Sequence, residues 1–174
     1  MTDNTSTLDR VIESIRTHWK GLDTQTIVHT REQLTLLTQA SISEPWLTEL
    51  HKNQAPGVEL YRDPEHGFIL LAHVEKQGLY RMPHNHGAGW VFYAVQHGQM
   101  QMSTYLQITN PSGETRLVSR GENKVEQGEV NVYLTGDIHD TLCLSEYALM
   151  FRLTSSDFEE EKRAGRLIRF KEPA

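Results

Sequence analysis

The stretch RMPHNHGAGWVFYAVQHG, residues 81–98, puts two histidines one residue apart, ahead of two glycines and an apolar run. On a strand, residues i and i+2 project from one face, so His84 and His86 can aim both imidazoles at one ion. Pro83 stiffens the entry, and Gly87 and Gly89 let the chain turn without side chains crowding the rings. Taken alone, an HxH pair is a weak signal, because a polar loop with both rings hydrogen-bonded to water has the same sequence. A second stretch strengthens it. GEVNVYLTGDIHDT, residues 128–141, reads as a strand, a tight Gly-Asp turn and His139. A third imidazole from a distant strand is what holds an ion in place.

The other six histidines call for less. His18, His29, His51 and His66 fall in helices or turns and read as solvated. His73 ends an apolar strand and reads as a packed histidine, and His97, before Gly98, as a turn residue.

Around these motifs the chain shows two regimes. Residues 6–51 read as helical: Ser6 caps a first helix with Asp9, and Leu8, Val11, Ile12, Ile15 and Trp19 form one stripe ending at Gly21. A second helix is expected over 31–40, with Leu34 and Leu37 inward, and a third from Ser43 and Pro45 to Leu50. From Val58 the period becomes two. VELYRD, GFILLAHV, WVFYAVQH, QMQMSTYLQIT, ETRLVS, VNVYL and YALMFRL read as strands between turns such as NPSGE and RDPEHG. In the fourth of these, Met100, Met102, Thr104, Leu106 and Ile108 share one face. Many short strands indicate a sandwich or barrel. SSDFEEEKRAG reads as a short helix capped by Ser156 and Glu159, its glutamates a solvated face, and RLIRF as a last strand. The expected organisation is one domain over 1–174: helices at 6–51, a β-barrel at 58–153, and a short helix with a final strand at 156–170.

Composition narrows the partners. The 174 residues carry 17 Lys and Arg against 23 Asp and Glu, a net charge of −6, with a pI near 5.8. An acidic chain without a basic stripe is a poor binder of nucleic acid or of an anionic membrane. No apolar segment is long enough for a transmembrane helix, and the first ten residues do not resemble a secretory signal. One cysteine, Cys143, suits a reducing cytoplasm and reads as a small buried hydrophobe. The expected partner is a small molecule or another protein; the sequence leaves the oligomeric state open.

The motifs resemble those of the cupin superfamily. Its first motif runs glycine, five residues, H-x-H, three or four residues, glutamate, six residues, glycine; Gly78, His84, His86 and Gly98 fall into register. Its second ends in a turn and a histidine; Gly128, Gly136 and His139 match, with Leu134 where proline is usual. The resemblance implies a mainly β fold, a cupin double-stranded β-helix or jelly-roll barrel, with a metal inside and an N-terminal helical region. The usual glutamate ligand would fall at Trp90 or Val91, and neither binds metal. The resulting three-histidine set resembles the cysteine dioxygenase group of thiol dioxygenases. ELYRDPEHGFILLAHV is similar to the strands that precede the metal motif there, and the resemblance covers most of 58–153. Two features of that group are missing. Val91 rules out the Cys–Tyr cross-link of some members, and CLSEYALMFRLTSS lacks their Ser-x-His-x-Tyr relay.

What the resemblance implies is a non-haem iron(II) dioxygenase that oxidises a small thiol, of cysteine or mercapto-acid type, with O2 to a sulfinic acid. His84, His86 and His139 would hold Fe(2+), although spacing alone also admits zinc, manganese and nickel. Trp90, Val91 and Tyr93 would shape the pocket, with barrel core as the simpler reading of Val91. Arg62 would pair with a substrate carboxylate, if the straight strand it shares with Leu60 turns it inward; the alternative is a surface arginine paired with Asp63 or Glu65. Asp137 and Asp140 are turn residues or orient the His139 ring. Tyr105 and Tyr133 receive no role. Two other classes stay open: a metal-dependent lyase or carbon–carbon-cleaving dioxygenase, and a non-catalytic ligand-binding cupin.

Overall fold

The computed structural model describes residues 5–171, so the outermost residues of the expected domain, 1–4 and 172–174, lie outside the described residues. Three helices come first, α1 (Thr7–His18), α2 (Thr24–Thr38) and α3 (Pro45–Asn53). Nine strands follow: β1 (Val58–Arg62), β2 (Ile69–Lys76), β3 (Tyr80–His84), β4 (Val91–His97), β5 (Gln99–Thr109), β6 (Thr115–Glu126), β7 (Val130–Tyr133), β8 (Ile138–Cys143) and β9 (Tyr147–Thr154). A short helix, α4 (Phe158–Arg163), comes after them.

All strand pairs are antiparallel and fall into two sheets, β1-β2-β9-β4-β7 and β3-β8-β5-β6. Leaving out the edge strand β1, the chain changes sheet at every step from β2 to β9 except the β5–β6 hairpin, which is the strand order of a double-sheet jelly roll. That is the mainly β fold, with an N-terminal helical region, that the sequence led us to expect. No helix among the described residues is long and apolar enough to cross a membrane.

The first sheet is buried on both faces. On its outer face Leu70, Phe92, Phe151 and Leu153 meet Val11, Ile15, Leu34, Leu37 and Leu47 of the helices. On its inner face Val91, Tyr93, Val95 and Met150 meet Met100, Met102 and Val125 of the second sheet. Burial on both sides explains why WVFYAV and YALMF read as continuous apolar runs rather than alternating ones.

Several boundaries differ from expectation, each for a local reason. Helix α2 starts seven residues early, because Asp23 caps it by accepting from the Thr26 amide at 2.7 Å. Its first half buries Thr26 and Thr30 rather than leucines, so no apolar stripe marks it. The cap of α4 is Asp157, not Ser156, and of its glutamates Glu161 is buried. RLIRF forms no strand; it runs beside β3 through an isolated bridge between His84 and Arg169. Strand β6 runs on to Glu126, beyond the ETRLVS read from sequence. The expected shared face of β5 holds for Met100 and Met102. Beyond Tyr105 the pairing with β8 ends and β5 continues against β6 alone, which leaves Leu106 53% exposed.

Candidate metal centre

His84 closes β3 and pairs across the sheet with His139 on β8. His86 lies two residues past the end of β3, in the loop, so the same-face argument from an uninterrupted strand does not describe it. Loop packing brings it in. At Gly87, φ is +62° and a Cβ would lie 2.3 Å from a Glu161 carboxylate oxygen. At Gly89 a Cβ would lie 2.6 Å from the Phe158 ring. The two glycines therefore let α4 press onto the loop, a close approach as much as a sharp turn. Glu161 completes the clamp: it accepts from the Ala88 amide (3.0 Å) and from Arg166 at 2.8 Å through two nitrogens. These bonds hold its carboxyl down to about 2.

The result is a cluster of His84, His86 and His139 with one ring nitrogen from each within 4.8 Å of the others. The Nε2 atoms of His86 and His139 are 3.2 Å apart. Two imidazoles on one ion at about 2.0–2.1 Å, with bond angles between tetrahedral and octahedral, bring their nitrogens to roughly 2.8–3.4 Å. His86 and His139 are almost fully buried. Nδ1 of His84 donates to the Met82 carbonyl at 2.8 Å, which leaves its Nε2 with a free lone pair. Burial pushes His86 down to about 3, with the neighbouring His84 adding to the effect. Burial likewise holds His139 well below its ordinary value. The rings are thus kept neutral, the state that binds a metal. Donor set, spacing and protonation all fit a divalent ion.

Aromatic walls fix the rings. Tyr133 stacks on His139 at 3.9 Å between centroids, and Phe158 stacks on His86 at 5.1 Å. Tyr93 stands 5.1 Å from His139, and burial pushes its phenol up, with the Arg152 guanidinium opposing. Tyr93 is among the residues that line the cavity.

Arg62 and Trp90 do not. Arg62 is exposed and donates to Glu59 (2.8 Å) and Asp157 (2.9 Å). A register shift between Glu59 and Tyr61 breaks the straight strand assumed for it, and Leu60 packs toward the helices. Its partners also differ from the expected Asp63 and Glu65; Asp63 lies 2.9 Å from Arg16. Trp90 faces the helices, stacked on Trp19 at 5.0 Å, because its neighbour Val91 takes the inward position. Asp137 is a turn residue that accepts from the Leu134 amide. Asp140 does neither thing expected of it: on the far face of the second sheet it accepts from Tyr80, Tyr105 and the Ser103 amide. Cys143 is buried. His51 is not solvated; it bridges the buried Gln96 (2.8 Å) and Tyr147 (3.0 Å).

The cluster opens into a cavity of about 190 Å³, small beside the roughly 300–1,000 Å³ of drug-sized sites. Its lining includes Arg81, Arg152, Lys162 and Arg169 against Glu75 and Glu159. Sequence reasoning missed Arg152 and His73. For Arg152 the signal was there: a single cation inside the apolar run YALMFRL. His73 looked like an ordinary strand residue, and nothing local distinguished it.

No protein-family model matches the chain, and no curated protein matches it. Solved structures with some likeness include KdgF from Halomonas sp., at 15% identity and a TM-score of 0.44, over 56% of this chain and 74% of that one. The Cnp3 cupin domain of Schizosaccharomyces pombe matches at 10% identity and 0.46, over 63% and 66%. An oxalate oxidase in complex with the substrate analogue glycolate matches at 18% and 0.42, over 52% of this chain and only 42% of the oxidase. Likeness at this level adds nothing to the strand order itself and says nothing about activity.

Proposed function

We propose that the chain is a metal-dependent enzyme acting on a small anionic substrate, and more narrowly an iron(II) dioxygenase of a carboxylate-bearing thiol. The observation that carries the broader reading is the meeting of three neutral imidazoles with a cation-rich cavity. Such a ligand set leaves the double positive charge of an ion uncompensated, so the cavity favours an anion on both counts. The narrower reading is supported by the resemblance of the three-histidine motif to thiol dioxygenases. Iron(II) held by His84, His86 and His139 would supply the chemistry that joins dioxygen to a thiol. The overall change, RSH + O2 → RSO2H, places both oxygen atoms on sulfur and needs no outside reductant.

The chain's own residues bind and orient. Phe158, Met150 and Tyr93 give the cavity an apolar wall that excludes water, and the cations hold the charged end of the substrate. One observation favours a second reading, a metal-dependent lyase: His73 lines the cavity with an unprotonated, unpartnered nitrogen, the kind of group that accepts a proton from carbon.

The test is metal analysis joined to oxygen uptake with a panel of small thiols. The proposal expects one O2 consumed per thiol, dependent on iron and lost in His86→Ala. Metal-dependent turnover that consumes no oxygen would establish the lyase reading instead.

A further inference from the structure

Beside the metal-site histidines, two residues that line the cavity each carry a buried side-chain nitrogen without a hydrogen-bond partner, Nε of Arg152 and Nε2 of His73. They come from adjacent strands. In the β2–β9 register Arg152 lies opposite Leu71, and His73 opposite Met150. Arg152 and His73 are therefore diagonal neighbours on one sheet face, a relation that places Cβ atoms about 7–8 Å apart or less.

Their surroundings set what each offers. Nδ1 of His73 lies 2.8 Å from the Pro56 carbonyl. A carbonyl only accepts, so Nδ1 carries the proton and Nε2 presents a lone pair. Arg152 only donates. The nearby carboxylates are committed elsewhere. Both oxygens of Glu75 accept from Arg81, at 2.8–3.1 Å, and Glu159 faces Lys162 at 3.8 Å. Among the described residues, no carboxylate lies within ion-pair distance of Arg152. A sheltered guanidinium without an anion is costly, and a carboxylate fits its fork.

We propose that Arg152 and His73 form the substrate-anchoring subsite of the cavity. Arg152 receives the carboxylate of a small acid, and His73 accepts a hydrogen bond from a hydroxyl or ammonium group beside that carboxylate. The ligand class is a small α-hydroxy or α-amino acid whose other end points to the three histidines. Among thiols, this selects one of cysteine type over a mercapto-acid that lacks the donor. The inference rests on reading the cavity as a substrate site, and not on oxidation of sulfur.

The experiment is calorimetric titration of the full-length, zinc-loaded protein with lactate, alanine, propionate and propionamide. Zinc is redox-inert, so the affinities are read apart from turnover; failure of the oxidation reading would leave them standing. Wild type is expected to bind propionate at least tenfold tighter than propionamide. It should bind lactate or alanine tenfold tighter again, and whichever leads tells hydroxyl from ammonium. Arg152→Gln should weaken the acids at least tenfold and lose the preference over propionamide, with metal content unchanged. Arg152→Lys should keep that preference. His73→Phe should erase only the advantage of lactate or alanine over propionate. Equal wild-type affinity for propionate and propionamide, or no detectable binding of lactate and alanine, overturns the proposal whether or not the variants fold. So does an Arg152→Gln protein within twofold of wild type, which would place the carboxylate on the metal. Equal affinity for propionate, lactate and alanine overturns the part given to His73.

Discussion

Strands β4 and β9 have two faces, and the two do opposite things. Toward the helices they present Phe92, Leu149, Phe151 and Leu153, with Trp90 just ahead of β4 on the same side. Toward the barrel interior they present Val91, Tyr93, Met150 and Arg152. Burial does not separate them, since Phe151 is 0% and Tyr93 3% exposed. The outer face is closed, ring on ring, with Trp90 on Trp19 and Trp46 near Phe151 at 5.8 Å. The inner face keeps polar groups whose partners the protein does not supply. A step of one residue along the same strand thus separates scaffold from chemistry.

The contrast breaks most visibly on the scaffold side. Phe151→Ala should cost about 3–5 kcal/mol of stability, measured by denaturant unfolding, while metal per folded chain stays at the wild-type level. A loss of metal in step with stability would mean that the two faces are not separable.

Next comes the clamp on the loop. Glu161→Ala removes the acceptor of the Ala88 amide and the partner of Arg166. We expect about 1–3 kcal/mol of stability to be lost and metal affinity to fall by roughly tenfold or more, as for groups that support a ligand. Unchanged affinity in a competition titration would show that His86 is positioned without α4.

Acid should reveal the inner face alone. Burial holds His73 at about 4, against an ordinary 6.5, with Arg152 contributing. Between those values the unfolded chain takes a proton that the native state refuses. Stability is therefore complete above about pH 6.5 and declines as pH falls toward the native value. Burial of His86, down to about 3, and of His139 steepens the same decline and carries it further down. His73→Phe should make the metal-free stability profile shallower between pH 6.5 and 4, the remaining slope belonging to the buried metal-site histidines, and Phe151→Leu should leave its shape unchanged. The same depression means that neutral imidazoles persist below 6.5. Metal retention should extend to more acid pH than free histidine would allow.

The smallest effect belongs to Arg62. Exposed ion pairs contribute little to stability, so Arg62→Ala should leave the unfolding midpoint nearly unchanged and ligand affinity within twofold. A larger affinity loss would return Arg62 to the cavity.

What could be read in advance follows from which interactions are local. The period-two pattern and the separation of HxH from His139 reflect strands and turns, so the barrel and the three histidines were legible. The helices were legible wherever leucines marked a stripe, as in α1, and were missed where threonines were buried, as at the start of α2. Arg62 failed because a bulge shifts parity, and no residue type at Glu59 to Tyr61 announces one. Trp90 failed for a similar reason: in a strand apolar on both faces, hydrophobicity does not say which side is which. The contribution of α4 depends on a carboxylate reaching across 73 residues to the Ala88 amide. Contacts of that range leave no trace in local pattern; of the two unpartnered nitrogens, that of Arg152 was signalled by a lone cation in YALMFRL, and that of His73 was not.

The central claim is that His84, His86 and His139 hold one divalent ion. The most direct test counts metal per chain after reconstitution with iron(II) or zinc and reads the coordinating atoms by X-ray absorption, in wild type and in the three single His→Ala variants. We expect one ion per wild-type chain with three imidazole nitrogens at about 2.0–2.2 Å, and loss of most of the metal in each variant. One full equivalent retained in both His86→Ala and His139→Ala would contradict the assignment.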